Sequence, residues 1–554
     1  MTKHKRFLLL CIRTAAAFLF AAGTTTAFAQ GTSTNLTSRV PRFTFGQTLE
    51  EQKAQLKTNS LLRRFAESRE KLSSDPHRPF YHYVNPEARL NDPNGLSFWR
   101  GRWHLFYQAY PPEDTRQHWG HAVSEDLIHW RDLPYAIYPN PEEKSFSGAI
   151  LIEEDRAIAM YHGTAVGNIV AVSSDPLLLN WEKLTGAAVI PRRKPGEPAQ
   201  PYNVYDPCIW KKDGMYYSIS GSTMPTGPAR KPLPAQYLFR SIDLVKWEYL
   251  HQFVEDDRFT MVGDDGACPY FWPIGDRHIL LFFSHMSGGQ YLIGDYDKQR
   301  DKFIATSHAK FNFGPSTPGG VHAPSAFPDG KGGVITIFNV NPAKSTPGWN
   351  QLMTLPRRLT LASKDVLEVE PAGDIESLRY GHRRVENVSL PANQEIVLTN
   401  IHGNAAEYIL EIEPSHAPLV ELNVLRSPGK EEYTRIAFFR NRGYVISRAR
   451  TGDSFQSSVS LDTSYSSELD SATSRAPETA QIAIARDEPL KLRVFVDKSI
   501  VEVFINGKQC VAARVYPGRS DSVGVSLRSQ GRNSMLKSFD AWQMKSIYET
   551  AKNR

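Results

Sequence analysis

A short pattern of serine, aspartate, leucine and tryptophan recurs in the first half of the chain and limits the folds that it can adopt. Three copies, SEDLIHW, SSDPLLLNW and SIDLVKW, end at Trp130, Trp181 and Trp247, and GDYDKQRDKF is a degenerate fourth. The three tryptophans are 51 and 66 residues apart, and a propeller blade of four antiparallel strands takes roughly 40 to 50 residues plus insertions. The repeat therefore favours a β-propeller.

The residues around the repeat support the same architecture. From about residue 81 to 375, short aromatic and β-branched runs are separated by Gly, Pro, Asn and Asp, which is typical of an all-β domain. This length leaves room for about five blades with long loops. Polar residues at the ends of the first strands should then converge on one pocket. We predict a five-bladed β-propeller over 81–375 with a single central site.

A second all-β unit is predicted over about 390–550. Residues 490–517 alternate apolar and polar side chains in places, and Asn506-Gly507 is a hairpin turn. The runs EYILEIE and YTRIAFFR add further strands. A chain of 554 residues exceeds what one core usually supports, so we predict a C-terminal β-sandwich packed on the propeller.

The residues before the propeller divide into a targeting segment and a lead-in. Residues 1–29 have Lys3, Lys5 and Arg6 before an apolar stretch and an Ala-Phe-Ala cleavage site, which is typical of a secretory signal peptide. An N-terminal membrane anchor is the alternative, although the apolar run is shorter than the ~20 residues that a spanning helix needs. We expect a bacterial protein that is secreted or periplasmic. Residues 30–80 predict one amphipathic helix in a polar lead-in.

Charge and cysteine content exclude several kinds of partner. Removing the signal's four basic residues lowers the formal net charge from +6 to +2, and no Lys/Arg run alternates with aromatic residues. Nucleic acid is therefore not expected, nor is a membrane after signal cleavage, and the oligomeric state is left open. Cys208, Cys268 and Cys510 are expected to be buried, with a Cys208–Cys268 pair open if their strands are neighbours. The scattered histidines and the absence of a nucleotide-binding loop predict neither a metal nor a cofactor.

Three acidic sites stand at positions where strands are predicted to begin. They are Asp92 in RLNDPNGLSFW, Asp206 in NVYDPCIW and the pair Asp264-Asp265 in GDDGACPYFW. Two of these sites are Asp-Pro, and the third is followed by Cys-Pro. A proline after the key residue keeps that residue extended at a strand edge. Each of these motifs alone is typical of a β-turn. Three such motifs in one propeller favour a site built from carboxylates. Paired carboxylates are what glycoside hydrolysis requires, because one attacks the anomeric carbon or activates water while the other protonates the leaving oxygen.

Several ordered motifs give the chain a family resemblance. NDPNGL, WHLFYQAYPP, HWGHAVSEDLIHW, FSGAI, YDPCIW and LPRRLTL resemble those of the β-fructosidases of glycoside hydrolase family 32, the invertase, inulinase and levanase group. The segment LRVFVDKSIVEVFINGKQCVAARVYP resembles the sandwich domain of that family. The resemblance covers most of residues 81–545 and implies a five-bladed propeller followed by a C-terminal β-sandwich. It also implies double displacement at a fructosyl unit.

The resemblance assigns roles to individual positions. Asp92 corresponds to the nucleophile, which would form a fructosyl-enzyme ester. Asp206 corresponds to the aspartate that binds sugar hydroxyls and stabilises the oxocarbenium-like transition state. The positions that match substrate-binding residues are Asn91, Gln108, Trp119, Phe146 and Ser147.

Two positions depart from the family pattern. Tyr205 stands where the family has an arginine, and Ala267 stands where it has the glutamate that acts as acid/base. Because side chains alternate along a strand, Asp265 should share a face with Ala267, roughly 6 to 7 Å further along. We therefore predict Asp265 as the replacement acid/base. Asp264 should point the other way, and we assign it with Tyr205 to substrate binding.

These observations predict a secreted retaining glycoside hydrolase that cleaves β-fructofuranosyl linkages of sucrose, inulin or levan. Its partner would be a fructose-containing oligosaccharide or polysaccharide. Two alternatives stay open: a fructan-binding propeller that has lost its acid, and a related propeller glycosidase for another sugar. The sequence does not decide between linkages, or between endo and exo cleavage.

Overall fold

Two helices, rather than the single predicted one, precede the first β-strand of the described chain. The computed structural model describes residues 36–224, 227, 230–413, 416–442 and 456–548, so the predicted signal peptide, residues 1–29, lies outside the described residues. Helix α1 (Leu49–Thr58) ends at Asn59, whose backbone is extended. The Asn59 side chain accepts hydrogen bonds from two backbone N–H groups of α2 (Ser60–Leu72). The expectation of one helix was wrong because Asn59 is an N-cap in its middle.

Five antiparallel sheets follow, and each forms one blade of a propeller. Blade 1 comprises β1 (Arg89–Trp99), β2 (Arg102–Tyr110), β3 (His118–Ser124) and β4 (Arg131–Ile137). Blade 2 comprises β5 (Ser145–Ile152), β6 (Ala157–Gly163), β7 (Gly167–Ser173), β8 (Glu182–Lys183) and β9 (Ile190–Pro191). Blade 3 comprises β10 (Pro207–Lys212), β11 (Met215–Met224), β12 (Leu233–Ser241) and β13 (Glu248–Gln252).

The last two blades complete the propeller. Blade 4 comprises β14 (Ala267–Ile274), β15 (Arg277–Ser284), β16 (Gly288–Asp297) and β17 (Lys302–Lys310). Blade 5 comprises β18 (Val321–Pro328), β19 (Val334–Val340), β20 (Leu352–Met353), β21 (Arg357–Ser363) and β22 (Val366–Pro371). The first strands form a ring, because β1 contacts β5, β5 contacts β10, β10 contacts β14, β14 contacts β18 and β18 returns to β1. The predicted five-bladed propeller is confirmed.

The sequence repeat is the loop between the third and fourth strands of a blade. In three copies an aspartate side chain accepts hydrogen bonds from the backbone N–H groups two and three residues further on. The N···O distances are 2.9 and 2.8 Å for Asp126, 2.9 and 2.8 Å for Asp243, and 3.0 and 3.1 Å for Asp297. The aspartate side chain thus accepts hydrogen bonds that a backbone carbonyl would otherwise accept in the turn. This requirement for aspartate explains why the repeat can be recognised in the sequence.

Two six-stranded antiparallel sheets form the C-terminal β-sandwich, as predicted, after a 3-10 helix at Ile375–Leu378. The first sheet contains β23 (Arg379–Leu390), β25 (Ala405–Ile412), β30 (Leu490–Asp497), β31 (Ile500–Ile505), β32 (Gln509–Arg514) and β34 (Ser534–Met544). The second contains β24 (Glu395–His402), β26 (Leu419–Arg426), β27 (Thr434–Phe439), β28 (Ser457–Asp462), β29 (Glu478–Ile482) and β33 (Gly524–Gln530). Buried apolar side chains from both sheets form one core between them.

Apolar and ionic contacts join the sandwich to the propeller. Phe495 and Phe504 of the sandwich belong to the same buried apolar cluster as residues of the blades. Glu502 on β31 accepts hydrogen bonds from Arg357 Nη2 at 2.7 Å and from the backbone N–H of Leu355 at 2.7 Å, and its Oε1 lies 3.1 Å from His82 Nε2. The described residues from Leu36 onward therefore form one compact unit. Among the described residues, no helix is long and apolar enough to cross a membrane.

Candidate active site

A cavity of about 430 Å³ is lined by residues at the start of all five first strands. Asp92 comes from β1, Ser147 from β5, and Asp206 immediately precedes β10. Ala267 opens β14 and His322 lies at the start of β18. The ring of strands thus brings together side chains that are up to 230 positions apart in the sequence. One site at the centre of a propeller is what the repeat predicted.

Asp92 is buried, and its two carboxylate oxygens have different surroundings. Oδ2 accepts hydrogen bonds from Gln108 Nε2 at 3.1 Å and from Ser147 Oγ at 2.8 Å. Oδ1 is buried without a hydrogen-bond partner among the described residues, and His322 Nε2 lies 3.6 Å from it. Asn91 Nδ2 donates in turn to Gln108 Oε1 at 3.2 Å. The carboxylate is therefore held through Oδ2, whereas Oδ1 makes no hydrogen bond to a described residue.

Asp206 is joined to Asp92 through Cys268. The backbone N–H of Cys268 donates to Asp206 Oδ2 at 3.0 Å, and its Sγ lies 3.6 Å from Asp206 Oδ2 and 3.7 Å from Asp92 Oδ2. Cys268 has a positive φ of 49°, and the β14–β15 register shifts between Ala267 and Tyr270. This bulge re-aims the strand start, so that one residue contacts both carboxylates.

Burial and charge shift the acidity of this cluster. The pKa of Asp206 is raised to about 7, mainly by burial; the N–H of Cys268 opposes the rise and the charge of Asp92 contributes to it. Burial and the two neighbouring carboxylates raise the pKa of the Cys268 thiol well above its ordinary value. The thiol is therefore protonated and can donate to the carboxylates. Cys208, Cys268 and Cys510 are free and buried, so no Cys208–Cys268 disulfide forms.

The two aspartates ahead of β14 have separate surroundings. Asp265 lines the cavity together with Ala267, although β14 begins only at Ala267, so strand alternation does not extend back to Asp265. Asp264 is fully buried and outside the lining. Its Oδ1 accepts hydrogen bonds from Ser284 Oγ at 2.7 Å and Ser287 Oγ at 2.5 Å. Asp264 therefore contacts blade 4 rather than the cavity.

Of the other residues that the sequence predicted for the site, all but one line the cavity. Asn91, Gln108, Phe146, Ser147 and Tyr205 line the cavity. Trp119 is fully buried outside the lining, where its Nε1 donates to the Phe146 carbonyl at 2.8 Å. Trp119 thus supports the backbone of a cavity residue and does not itself reach the cavity.

Tyr205, the position where the resemblance implies an arginine, has an exposed aromatic ring at the cavity. Tyr205 is 41% exposed. The guanidinium of Arg192 lies 5.4 Å from the ring centroid, within cation–π range, and the His162 ring lies 5.4 Å away. The Tyr205 ring therefore contacts these two neighbours and is still partly exposed at the cavity.

Sequence reasoning overlooked His285 as a site residue. Its Nδ1 lies 2.7 Å from Asp265 Oδ2, and its backbone N–H donates to Asp265 Oδ1 at 3.0 Å. The hydrogen bond that His285 makes to the Asp265 carboxylate raises the pKa of His285 above its ordinary value. The spacing of histidines along the sequence tests for metal ligands and cannot reveal a pair that forms between two strands. The pattern of residues 267–284 is typical of a β-hairpin, and pairing its two strands would have placed His285 opposite Asp265.

Two family profiles match this chain in succession. The Glycosyl hydrolases family 32 N-terminal domain matches residues 82–371, and the Glycosyl hydrolases family 32 C terminal domain matches residues 374–543. The chain belongs to glycosyl hydrolase family 32. It is accordingly a glycoside hydrolase, and the cavity of its propeller is the candidate active site of this family 32 protein.

Known family 32 proteins resemble the chain over most of its length. A levanase from Bacillus subtilis (strain 168) is 26% identical over 520 residues, which cover 86% of this chain and 72% of the levanase. A sucrose-6-phosphate hydrolase from Zymomonas mobilis is 25% identical over 514 residues, which cover 86% of this chain and 93% of the hydrolase. Among solved structures, fructan 1-exohydrolase IIa from Cichorium intybus has a TM-score of 0.72 at 22% identity, covering 85% of this chain and 98% of its own. This structural likeness supports the fold.

Proposed function

We propose that this chain is a secreted, retaining β-fructofuranosidase that cleaves sucrose, inulin or levan through a fructosyl-enzyme intermediate. The observation that carries the proposal is the asymmetry of Asp92, whose Oδ2 is held by Gln108 and Ser147 while its buried Oδ1 has no hydrogen-bond partner among the described residues. A nucleophile in double displacement needs one such free oxygen. The resemblance to a levanase and a sucrose-6-phosphate hydrolase supports a fructoside as substrate.

The cavity residues suit the two steps of that reaction. Asp92 Oδ1 attacks the anomeric carbon and forms an ester, and a positioned carboxylate at Asp206 accepts hydrogen bonds from sugar hydroxyls as positive charge develops on the ring. Ala267 has no group that can protonate the leaving oxygen. The Asp265–His285 pair lines the same cavity and supplies the titratable groups for proton transfer.

Incubating the full chain with sucrose, inulin and levan, followed by product identification, tests the proposal. We expect release of fructose or fructo-oligosaccharides, with the β-configuration retained in the first product observed by NMR. Calorimetry with the same three sugars detects binding independently of cleavage. Binding without any released product would contradict the proposal and favour the fructan-binding alternative, for which the missing acid at Ala267 is the supporting observation.

Removing the Tyr205 ring should weaken substrate binding more than it slows chemistry. We expect Tyr205→Ala to raise KM for inulin about 5- to 10-fold with little change in kcat, because a stacked aromatic ring contributes roughly 1 kcal/mol beyond burial. Steady-state kinetics check this expectation. Tyr465→Ala is the matched control, since Tyr465 is exposed on the sandwich and outside the cavity lining. Equal KM values for Tyr205→Ala and the unmodified enzyme would exclude Tyr205 from substrate binding.

We also propose export through the segment 1–29. In a bacterial host, the mature protein should begin at Gln30 and accumulate outside the cytoplasm, since the Ala-Phe-Ala sequence precedes that residue. N-terminal sequencing of the purified protein and fractionation of the cells measure both properties. Recovery of the uncleaved chain in the membrane fraction would instead support the anchor alternative.

A further inference from the structure

We propose that His285 is the proton donor and acceptor of the reaction, and that Asp265 is the positioning residue that orients it. The inference rests on the proposed hydrolysis of fructosides and names a residue for the step that Ala267 cannot perform. It replaces the sequence prediction that Asp265 itself is the acid/base.

The hydrogen bonds around Asp265 favour this division of roles. Both of its carboxylate oxygens contact the same residue, because Oδ1 accepts from the backbone N–H of His285 at 3.0 Å and Oδ2 lies 2.7 Å from His285 Nδ1. A carboxylate engaged in this way favours the tautomer with hydrogen on Nδ1 and stabilises the imidazolium. Asp265 is thus an acceptor from His285 and orients its ring.

The opposite nitrogen of His285 is available to substrate. His285 lines the cavity and its side chain is 68% exposed. No described residue forms a hydrogen bond with its Nε2, whereas Nδ1 is fully engaged. A leaving group departs toward solvent, so a donor at the open side of the cavity is well placed to protonate it.

The position of His285 is set by the β14–β15 hairpin. Ala267 pairs with Phe283 in that hairpin, so Asp265 precedes and His285 follows this cross-strand pair by two residues each. The His285 ring lies 6.2 Å from the His322 ring, and His322 Nε2 lies 3.6 Å from Asp92 Oδ1. His322 is therefore a neighbour of both His285 and the nucleophile, and Ala267 lines the same cavity.

The charges around His285 favour its protonated form. Its hydrogen bond to Asp265 raises the pKa above the ordinary 6.5, burial opposes the rise, and the charges of Asp265, Asp92 and Asp206 add to it. His322, the other histidine that faces the cavity, has its pKa lowered by burial and is neutral near pH 7. The geometry and the charges thus single out His285 as the cavity histidine that carries a transferable proton.

Both chemical steps balance with this assignment. In the first, Asp92 Oδ1 bonds to the anomeric carbon, the bond from that carbon to the leaving oxygen breaks with its electron pair on oxygen, and the proton on His285 Nε2 moves to that oxygen. In the second, neutral Nε2 takes a proton from water as the water oxygen bonds to the anomeric carbon and the ester bond breaks, returning its electron pair to Asp92. His285 ends protonated, as it began.

Substituting the two partners separately tests the inference on sucrose and inulin. His285→Ala and the less disruptive His285→Gln should lower kcat/KM on the order of 10²- to 10⁴-fold. Both should still release a burst of p-nitrophenolate from p-nitrophenyl β-fructofuranoside, whose leaving group needs no proton. Azide should accelerate the later turnover of that substrate, because it attacks the ester without a general base. Restored hydrolysis of sucrose in His285→Ala/Ala267→Glu would add support.

Asp265→Asn gives a different expected result. Activity falls as pH rises through the pKa of the donor, so removing the carboxylate that raises this pKa should move the alkaline limb of the pH profile to lower pH while activity at low pH is partly kept. A structural role alone would not move this limb. His129→Ala is the matched control, because His129 Nδ1 also lies 2.6 Å from an aspartate, Asp126, outside the cavity lining.

Three outcomes overturn the inference. Wild-type kcat/KM and an unchanged alkaline limb in both His285 variants would remove His285 from proton transfer while leaving the proposed hydrolysis intact. An Asp265→Asn enzyme that loses as much activity as His285→Ala, with no shift of the limb, would make Asp265 the donor. An unmodified enzyme that cleaves no fructoside would instead refute the proposed function itself.

Discussion

Asp92→Asn is expected to abolish turnover of sucrose, inulin and levan, with a fall in kcat on the order of 10⁴-fold or more. Asparagine has nearly the same shape and can keep an oxygen beside Gln108 Nε2 and Ser147 Oγ, which contact Asp92 Oδ2 in the enzyme. It has no anionic oxygen to attack the anomeric carbon. Stopped assays with each sugar measure the loss. A fructosyl adduct on the residue 92 peptide of the acid-quenched wild-type enzyme, seen by mass spectrometry, should be missing in the variant.

The same variant has a readout that is independent of turnover. The charge of Asp92 contributes to raising the pKa of Asp206 to about 7, after burial. Asp92→Asn removes that charge, so the pKa of Asp206 should fall, which carboxyl-carbon NMR titration measures. Thermal unfolding should be cooperative in both proteins. Substantial remaining hydrolysis in a folded Asp92→Asn enzyme would remove Asp92 as the nucleophile.

Glu502→Ala is expected to destabilise the protein by about 3 to 5 kcal/mol, because it leaves a buried charge without its partner. Glu502 accepts a hydrogen bond from Arg357 Nη2 at 2.7 Å, and both side chains are almost completely buried. The change also removes the acceptor of the Leu355 N–H. Urea unfolding followed by tryptophan fluorescence should show a lower midpoint. Hydrolysis at low temperature should persist, because Glu502 lies outside the cavity lining.

The pH dependence of stability provides a second measure of the same contact. Burial opposes ionisation of Glu502, but the charge of Arg357 and other partners bring its pKa below the ordinary 4.5. Its contribution is therefore complete above pH 4.5 and is lost as pH falls through the lowered pKa. Acid destabilisation should be less steep in Glu502→Ala. The control is Glu386→Ala, which breaks the solvent-exposed pair with Arg384 and should leave the unfolding midpoint unchanged.

Local chemistry explains how much of the fold could be predicted. Asp126, Asp243 and Asp297 bind backbone N–H groups within their own turns, so each copy of the repeat encodes a connection independently of the rest of the chain. Their spacing then limited the number of blades. The helical lead-in was predicted less accurately. Its composition is helical throughout, and the break depends on Asn59 acting as an N-cap for α2.

The site was predictable only where its chemistry resides in one short motif. Asp92 and Asp206 are followed directly by proline at strand starts, and the structure places both in the cavity. Strand alternation was an unreliable guide around residue 265, because β14 begins at Ala267 and bulges at once. Trp119 belongs to a strong motif, yet its ring is turned into the core.

By itself, the sequence determined the all-β architecture, the repeated turn of the blades and the two aspartates at strand starts, since turn chemistry and proline act within a few residues of where they stand. Only the tertiary structure decided that Asp92 keeps one oxygen free and that Asp265 lies against His285. Both contacts depend on how neighbouring strands and blades are aligned. That alignment is set by packing over the whole ring, because no single segment contains both partners.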